Sequence, residues 1–128
     1  MLVTFEGKFS KKREDLICDL VTFAQDQMFP DQDDVYLNIE ALRRDDGYCG
    51  DVMYEDENEF TIRLNKLLST SKLAITVLHE MVHVSQYLKG MLMDTESEYH
   101  DRWQEKEAHK LEKVLWDTYR IEKVLGLS

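Results

Sequence analysis

Thr76-Val77-Leu78-His79-Glu80-Met81-Val82-His83-Val84-Ser85-Gln86 sets the pattern His-Glu-x-x-His inside a long apolar run. On an α-helix, residues four apart share a face. His79 and His83 can therefore present two imidazole nitrogens to one metal ion while Glu80 stands beside the open coordination position. Neutral imidazole suits Zn²⁺, and a catalytic zinc keeps three protein ligands and one water, whose pKa the metal lowers toward neutrality. A carboxylate that is not itself a ligand can take that water's proton and return it to a leaving amine, the role the pattern assigns to Glu80. With four histidines and thirteen glutamates in 128 residues, the five-residue pattern arises by chance roughly once in a hundred such chains. That is rare enough to organise the rest of the reading around it.

The helix extends outward from this motif. Ser69-Thr70-Ser71 offers three N-caps, and Leu73, Ala74, Ile75, Val77, Leu78, Met81, Val82, Val84 and Leu88 cover most of its circumference, so the spacing predicts a central helix buried on nearly all sides. Gly90 is a natural stop. Two histidines and a glutamate on such a helix need a partner, since unpaired buried polar groups are costly, and a metal with its water supplies one.

Upstream, Leu2 to Phe5 is a short β-prone start, and Leu16, Ile17, Leu20, Val21, Ala24 and Met28 recur at helical spacing, giving a helix over 11–28 stopped by Pro30. Val35, Leu37, Ile39 and Ala41 alternate with polar residues to Leu42, which predicts a strand with one buried face. Val52 to Tyr54 and Phe60 to Asn65 read as two more strands around the acidic turn Glu55 to Glu59. The run Asp31-Gln32-Asp33-Asp34 lacks the ligand series of a calcium loop and reads as a solvated turn. Downstream, Thr95-x-x-Glu98 reads as a capping box for a last helix reaching about Val124, with an apolar stripe through Ala108, Leu111, Val114, Leu115, Thr118, Ile121 and Leu125.

A catalytic zinc needs a third ligand. Positions 86 and 89 hold Gln86 and Lys89, where the metzincin pattern would need glycine and histidine. The short link after Gly90 turns the last helix back along the first. At roughly 1.5 Å per residue, both Glu105 and Glu107 come level with the histidines. Extrapolating the stripe back from Leu111 leans toward Glu107.

At this point the chain resembles the gluzincins, the thermolysin-like zinc peptidases, and among them the minimal single-domain phage and bacterial members. The resemblance rests on His79-Glu80-Met81-Val82-His83 with Gln86 following, and on Trp103-Gln104-Glu105-Lys106-Glu107-Ala108, over about positions 60 to 110. In that family the metal glutamate stands in Glu-x-x-Ala, which the resemblance places at Glu105, with Glu107 in reserve. His109 stands where the family often has an acid that orients a ligand histidine. The resemblance implies an α+β, zincin-like domain. In it a small, mostly antiparallel sheet packs on the central metal helix and a C-terminal helix brings the glutamate. It further implies Zn²⁺ held by His79, His83 and Glu105, and hydrolysis of peptide bonds in a protein or peptide substrate. The substrate would pair as an extra strand with Phe60 to Asn65. Tyr99 and His100 are weaker candidates for stabilising an oxyanion, and Trp103 reads as a core or rim aromatic.

The remaining bounds narrow the classes. A length of 128 residues makes one domain, 1–128. The net charge of −10 argues against nucleic-acid or anionic-membrane partners. No stretch has the length and apolarity of a membrane span, and the N-terminal residues lack a signal-peptide pattern, so the expected location is cytoplasmic. Cys18 and Cys49, without Cys-x-x-Cys spacing, read as two thiols. The alternative function is a zincin-fold protein-binding module with a structural or vestigial metal site. A third expectation is latency, with 124–128 or a partner copy covering the cleft. Oligomeric state is not legible.

Overall fold

The computed structural model describes residues 1–126. Strand β1 (Leu2–Glu6) leads through a tight turn to helix α1 (Lys11–Met28), whose cap is Ser10, its hydroxyl accepting from Arg13 N at 3.2 Å. Strand β2 (Tyr36–Leu42) follows, then a loop, the hairpin of β3 (Gly50–Asp56) and β4 (Glu59–Asn65), and the motif helix α2 (Thr70–Leu88). A single 3₁₀ turn (Tyr99–Asp101) precedes the last helix, α3 (Trp103–Leu125).

The fold is α+β, but the sheet is mixed rather than mostly antiparallel. Its order is β1-β2-β4-β3, with β1·β2 and β2·β4 parallel and only β3·β4 antiparallel. The reason is connectivity: α1 carries the chain back between β1 and β2, and the hairpin places its second strand beside β2 and its first at the edge. So β4 has both edges occupied. It cannot receive a substrate strand, and the free edge near α2 is that of β3.

One apolar core joins the layers. Leu37 and Ile39 of β2 and Phe60, Ile62 and Leu64 of β4 cluster with Ile17, Leu20, Val21 and Ala24 of α1 and with Leu73, Val77, Leu78, Met81 and Val84 of α2. Helix α2 lies between α1 and α3 and against β3 and β4, so its apolar residues meet neighbours around most of its circumference. Ser69 is the cap used, accepting from Lys72 N at 3.3 Å, and Gly90 ends the helix with φ +69°.

Two polar fixtures place α2 relative to the sheet. Arg13 of α1 donates to the carbonyls of Lys66 (3.1 Å) and Leu68 (2.9 Å), anchoring the link into α2. Asn65, almost fully buried, donates to Arg44 O at 2.6 Å and Tyr48 O at 2.8 Å and accepts from Leu67 N at 3.1 Å, pinning the loop that leads into β3. Strand β3 begins at Gly50, two residues earlier than its alternation predicts. A Cβ there would lie 2.7 Å from Arg63 O and 2.8 Å from Thr76 Cγ2, so glycine is what lets the edge strand approach α2.

The last helix ends at Leu125, close to the expected Val124, but its start and its buried face differ from expectation. The Thr95-x-x-Glu98 segment is not its cap. Asp94 instead accepts from Glu96 N and Ser97 N, and α3 starts at Trp103 with no side-chain cap. Val114, Ile121 and Leu125, read as stripe residues, are exposed, and the buried row is Gln104, Ala108, Leu115 and Tyr119. Leu127 and Ser128, part of the segment named as a cleft cover, lie outside the described residues. No helix among the described residues is long and apolar enough to cross a membrane. Both cysteines are free thiols.

Candidate metal centre

The rise of α2 puts His79 and His83 one turn apart, and the antiparallel return of α3 brings Glu105 to them. His79 Nε2 and His83 Nε2 are 3.2 Å apart, and Glu105 Oε1 lies 3.0 Å from the first and 3.2 Å from the second. Glu107, the reserve candidate, does not reach the histidines directly. Its Oε1 accepts from Gln86 Nε2 at 3.0 Å. Periodicity leans toward Glu107, but the buried row of α3 runs through Gln104, Ala108 and Leu115, and Glu105 on its flank is the glutamate that meets the histidines.

The far side of each imidazole is also held. Gln86, 1% exposed, uses its amide nitrogen on Gln104 O (3.1 Å) and Glu107, so its Oε1 must be what faces His83 Nδ1 at 2.8 Å. His79 Nδ1 donates to Glu112 Oε1 at 3.0 Å, and the same oxygen takes His109 Nδ1 at 2.8 Å. Both ligand imidazoles therefore carry their proton on Nδ1, and in the neutral form aim Nε2 lone pairs at each other and at Glu105. Glu112 thus orients the His79 ring from behind. Sequence reading missed it, although Glu105, His109 and Glu112, at i, i+4 and i+7, form a polar row on one helix face.

This donor set fits a zinc ion. Three electron-rich atoms facing one another at 3.0–3.2 Å repel unless a cation lies among them. Tetrahedral ligands at 2.0–2.1 Å from zinc stand about 3.3–3.4 Å apart, close to the spacing found. Without a metal, protons take over the task. Burial alone would lower the His79 imidazole, but its bonds to Glu105 and Glu112 push it up to about 10. Burial likewise works against the His83 cation, and the bonds to Glu105 and Gln86 outweigh it. Glu105 and Glu112 would be raised by burial, yet their histidine partners hold both below the usual carboxylate range.

Glu80 stands apart from this network. It is 5% exposed, has a carboxylate oxygen within 4.8 Å of a ring nitrogen of His79 and one of His83, and burial pushes it up to about 7. It opens onto a cleft of about 300 Å³, lined by Gly50, Asp51 and Val52 of β3, by both histidines, Tyr87, Tyr99, Arg102 and Glu105, and by the link residues Met93 to Thr95. Tyr99 reaches the rim. Its hydroxyl is 3.4 Å from His109 Nε2, and burial together with the Glu105 carboxylate raises its pKa, so it is a protonated donor at neutral pH. His100 is exposed and does not line the cleft. Trp103 is half-buried, does not line the cleft, and donates from Nε1 to Leu92 O at 3.1 Å.

The arrangement can hold a divalent cation with a buried carboxylate beside it, in a cleft bordered by the edge strand β3. No family model, no curated protein and no solved structure matches this chain.

Proposed function

We propose that the chain is a zinc-dependent hydrolase of peptide bonds in protein or peptide substrates, with a site of gluzincin type. The observation that carries the reading is the convergence of His79 Nε2, His83 Nε2 and Glu105 Oε1 beside a buried Glu80 that makes no side-chain hydrogen bond among the described residues and lines an open cleft. Those three atoms would hold Zn²⁺, which when bound lowers the pKa of water and polarises a carbonyl. Glu80 takes a proton at its carboxylate and hands it to the departing amine. Glu112 and Gln86 fix the two imidazoles in the tautomer a metal needs. Tyr99 donates from the rim to an oxygen that gains negative charge. The free edge of β3, not β4, offers backbone groups to an extended substrate.

A zincin-fold binding module with a structural metal is the second reading, and one feature speaks for it. A structural zinc takes a fourth protein ligand, and the ring centroid of His109 is 4.7 Å from that of His79. Against this, His109 already donates from Nδ1 to Glu112 and is exposed, and a structural site has no use for Glu80.

The test compares wild type with Glu80→Gln for bound zinc and for cleavage of an unfolded, quenched-fluorophore protein. About one zinc per chain in both is expected, with cleavage reduced by at least about 100-fold in the variant. Unchanged cleavage removes Glu80 from the mechanism, and no zinc in either moves the weight to the binding module.

A further inference from the structure

The acidic turn between β3 and β4 has no part in the hydrolytic reading, and it borders a second cavity. That cavity, about 310 Å³, is lined by Tyr54, Phe60, Tyr87, Glu57, Leu88 and Gly90 among others. Tyr54 of the edge strand stacks on Tyr87 of α2, with centroids 5.5 Å apart and planes 17° from parallel, and Phe60 meets Tyr54 edge-on at 5.6 Å. Tyr54 is 53% exposed, so part of the stack faces solvent.

Aromatic faces of this kind take apolar or cationic groups, and the surroundings choose the cation. Glu57 is the charged residue in the lining, and it makes no ion pair among the described residues. Leu88 and Gly90 mark the C-terminal end of α2, where a helix carries partial negative charge. The chain as a whole, at −10, attracts cationic partners. Tyr87 lies one turn beyond His83 and lines the main cleft too, so this cavity continues it.

We infer that the Tyr54–Tyr87 cavity is a subsite for a lysine or arginine side chain of an extended polypeptide seated along the edge of β3. The inference rests on the reading of the cleft as a polypeptide site, and it names the side-chain chemistry that site selects. Val52 lines the cleft beside the metal ligands and Tyr54 is two residues further along the strand. At about 3.3 Å per residue, the cationic side chain sits roughly two or three positions from the reacting bond.

Fluorescein-labelled peptides carrying arginine, lysine, citrulline or glutamate at that distance, titrated against the zinc-loaded Glu80→Gln protein by anisotropy, test it. Arginine and lysine peptides bind roughly tenfold tighter than the citrulline peptide, which is isosteric with arginine but neutral. Tyr54→Ala, and separately Glu57→Gln in the exposed turn, shrink that advantage to under about threefold. Asp26→Asn, the same charge change on α1, leaves it in place. Equal affinities, no binding, or an advantage that survives both pocket variants or is lost as fully in Asp26→Asn overturns the inference. A cationic preference in a protein whose wild type does not cleave keeps the subsite and removes the hydrolytic reading. Cleavage without any preference does the reverse.

Discussion

Glu105→Gln, Glu107→Gln and Glu112→Ala separate three glutamates that lie within about two turns of α3 but stand at different distances from the candidate metal position. Glu105 touches both imidazole Nε2 atoms, Glu112 touches the Nδ1 of His79, and Glu107 reaches His83 only through Gln86. Loss of a partner behind a ligand histidine costs about 10- to 100-fold in metal affinity, or roughly 1.4–2.7 kcal/mol. Glu112→Ala should fall at the upper end, because it also frees His109 Nδ1. Glu105→Gln, which removes a charged ligand, should exceed it, and Glu107→Gln, whose amide oxygen still accepts from Gln86, should stay within about threefold of wild type. The assay is zinc competition against a fluorescent chelator, checked by thermal unfolding with and without metal. With free zinc at 1,000 times the wild-type Kd, binding stabilises the native state by about 4 kcal/mol. A variant with 100-fold weaker affinity gains only about 1.4 kcal/mol under the same conditions. Circular dichroism of the metal-free variants guards against loss of fold. Wild-type affinity in Glu105→Gln, or a larger loss in Glu107→Gln than in Glu112→Ala, would refute the ligand assignment.

Two further outcomes test the frame around the site. Gly50→Ala forces a Cβ to 2.7 Å from Arg63 O and 2.8 Å from Thr76 Cγ2, which should cost about 1–3 kcal/mol in urea unfolding. Adding Thr76→Ser should recover part of that loss, and a neutral Gly50→Ala would disprove the close approach. On the opposite flank, Asp19 accepts from Tyr119 Oη and Lys123 Nζ, both at 2.6 Å. Burial pushes this carboxyl up, but the two donors outweigh it and hold it below its ordinary 3.8. A depressed folded-state pKa means the stabilisation is present above the unfolded value, near 3.9, and fades as pH falls through the folded value. The stability gap between wild type and Asp19→Asn should therefore be open near pH 7 and close below about pH 4. A gap that persists at about pH 2 contradicts the ion-pair account.

The elements that alternation or helical period could encode were legible. Leu37 and Ile39 alternate and are buried, and the helix 11–28 ends where Pro30 requires. The apolar circumference of α2 correctly announced a helix enclosed by neighbours. What failed depended on residues distant in sequence. Strand order β1-β2-β4-β3 is a property of connections, and nothing within Phe60 to Asn65 says that β2 occupies its second edge. The early start of β3 was hidden because Gly50 and Asp51 carry no apolar signal. Gly50 is there for closeness to Thr76, and Asp51 because Arg63 across the ladder donates to both its oxygens, at 2.7 and 2.5 Å. The stripe of α3 was misplaced because Val114, Ile121 and Leu125 are as apolar as core residues, whereas Gln104 and Tyr119, which are buried, are not.

That last error bears on the site, because helix packing and the candidate metal site share residues here. Gln86 and Gln104 are nearly inaccessible and would be expensive in an apolar interface, yet the amide oxygen and nitrogen of each are both hydrogen-bonded. Gln86 ties His83 to Glu107 and to the backbone at Gln104, and the Gln104 side chain grips the backbone of Asp94 at 2.7 and 3.2 Å, closing the link between α2 and α3. The polar row Glu105, His109, Glu112 runs beside the apolar one and meets His79 across the same interface. A hydrophobicity pattern finds only the apolar row, so it finds the helix and misplaces its face. The second row becomes visible only when α2 is read as the helix of two facing imidazoles and α3 is asked what each imidazole nitrogen needs. That requirement, one carboxylate in front of His79 and one behind it, selects Glu105 and Glu112 seven residues apart. It leaves Glu107 to orient Gln86.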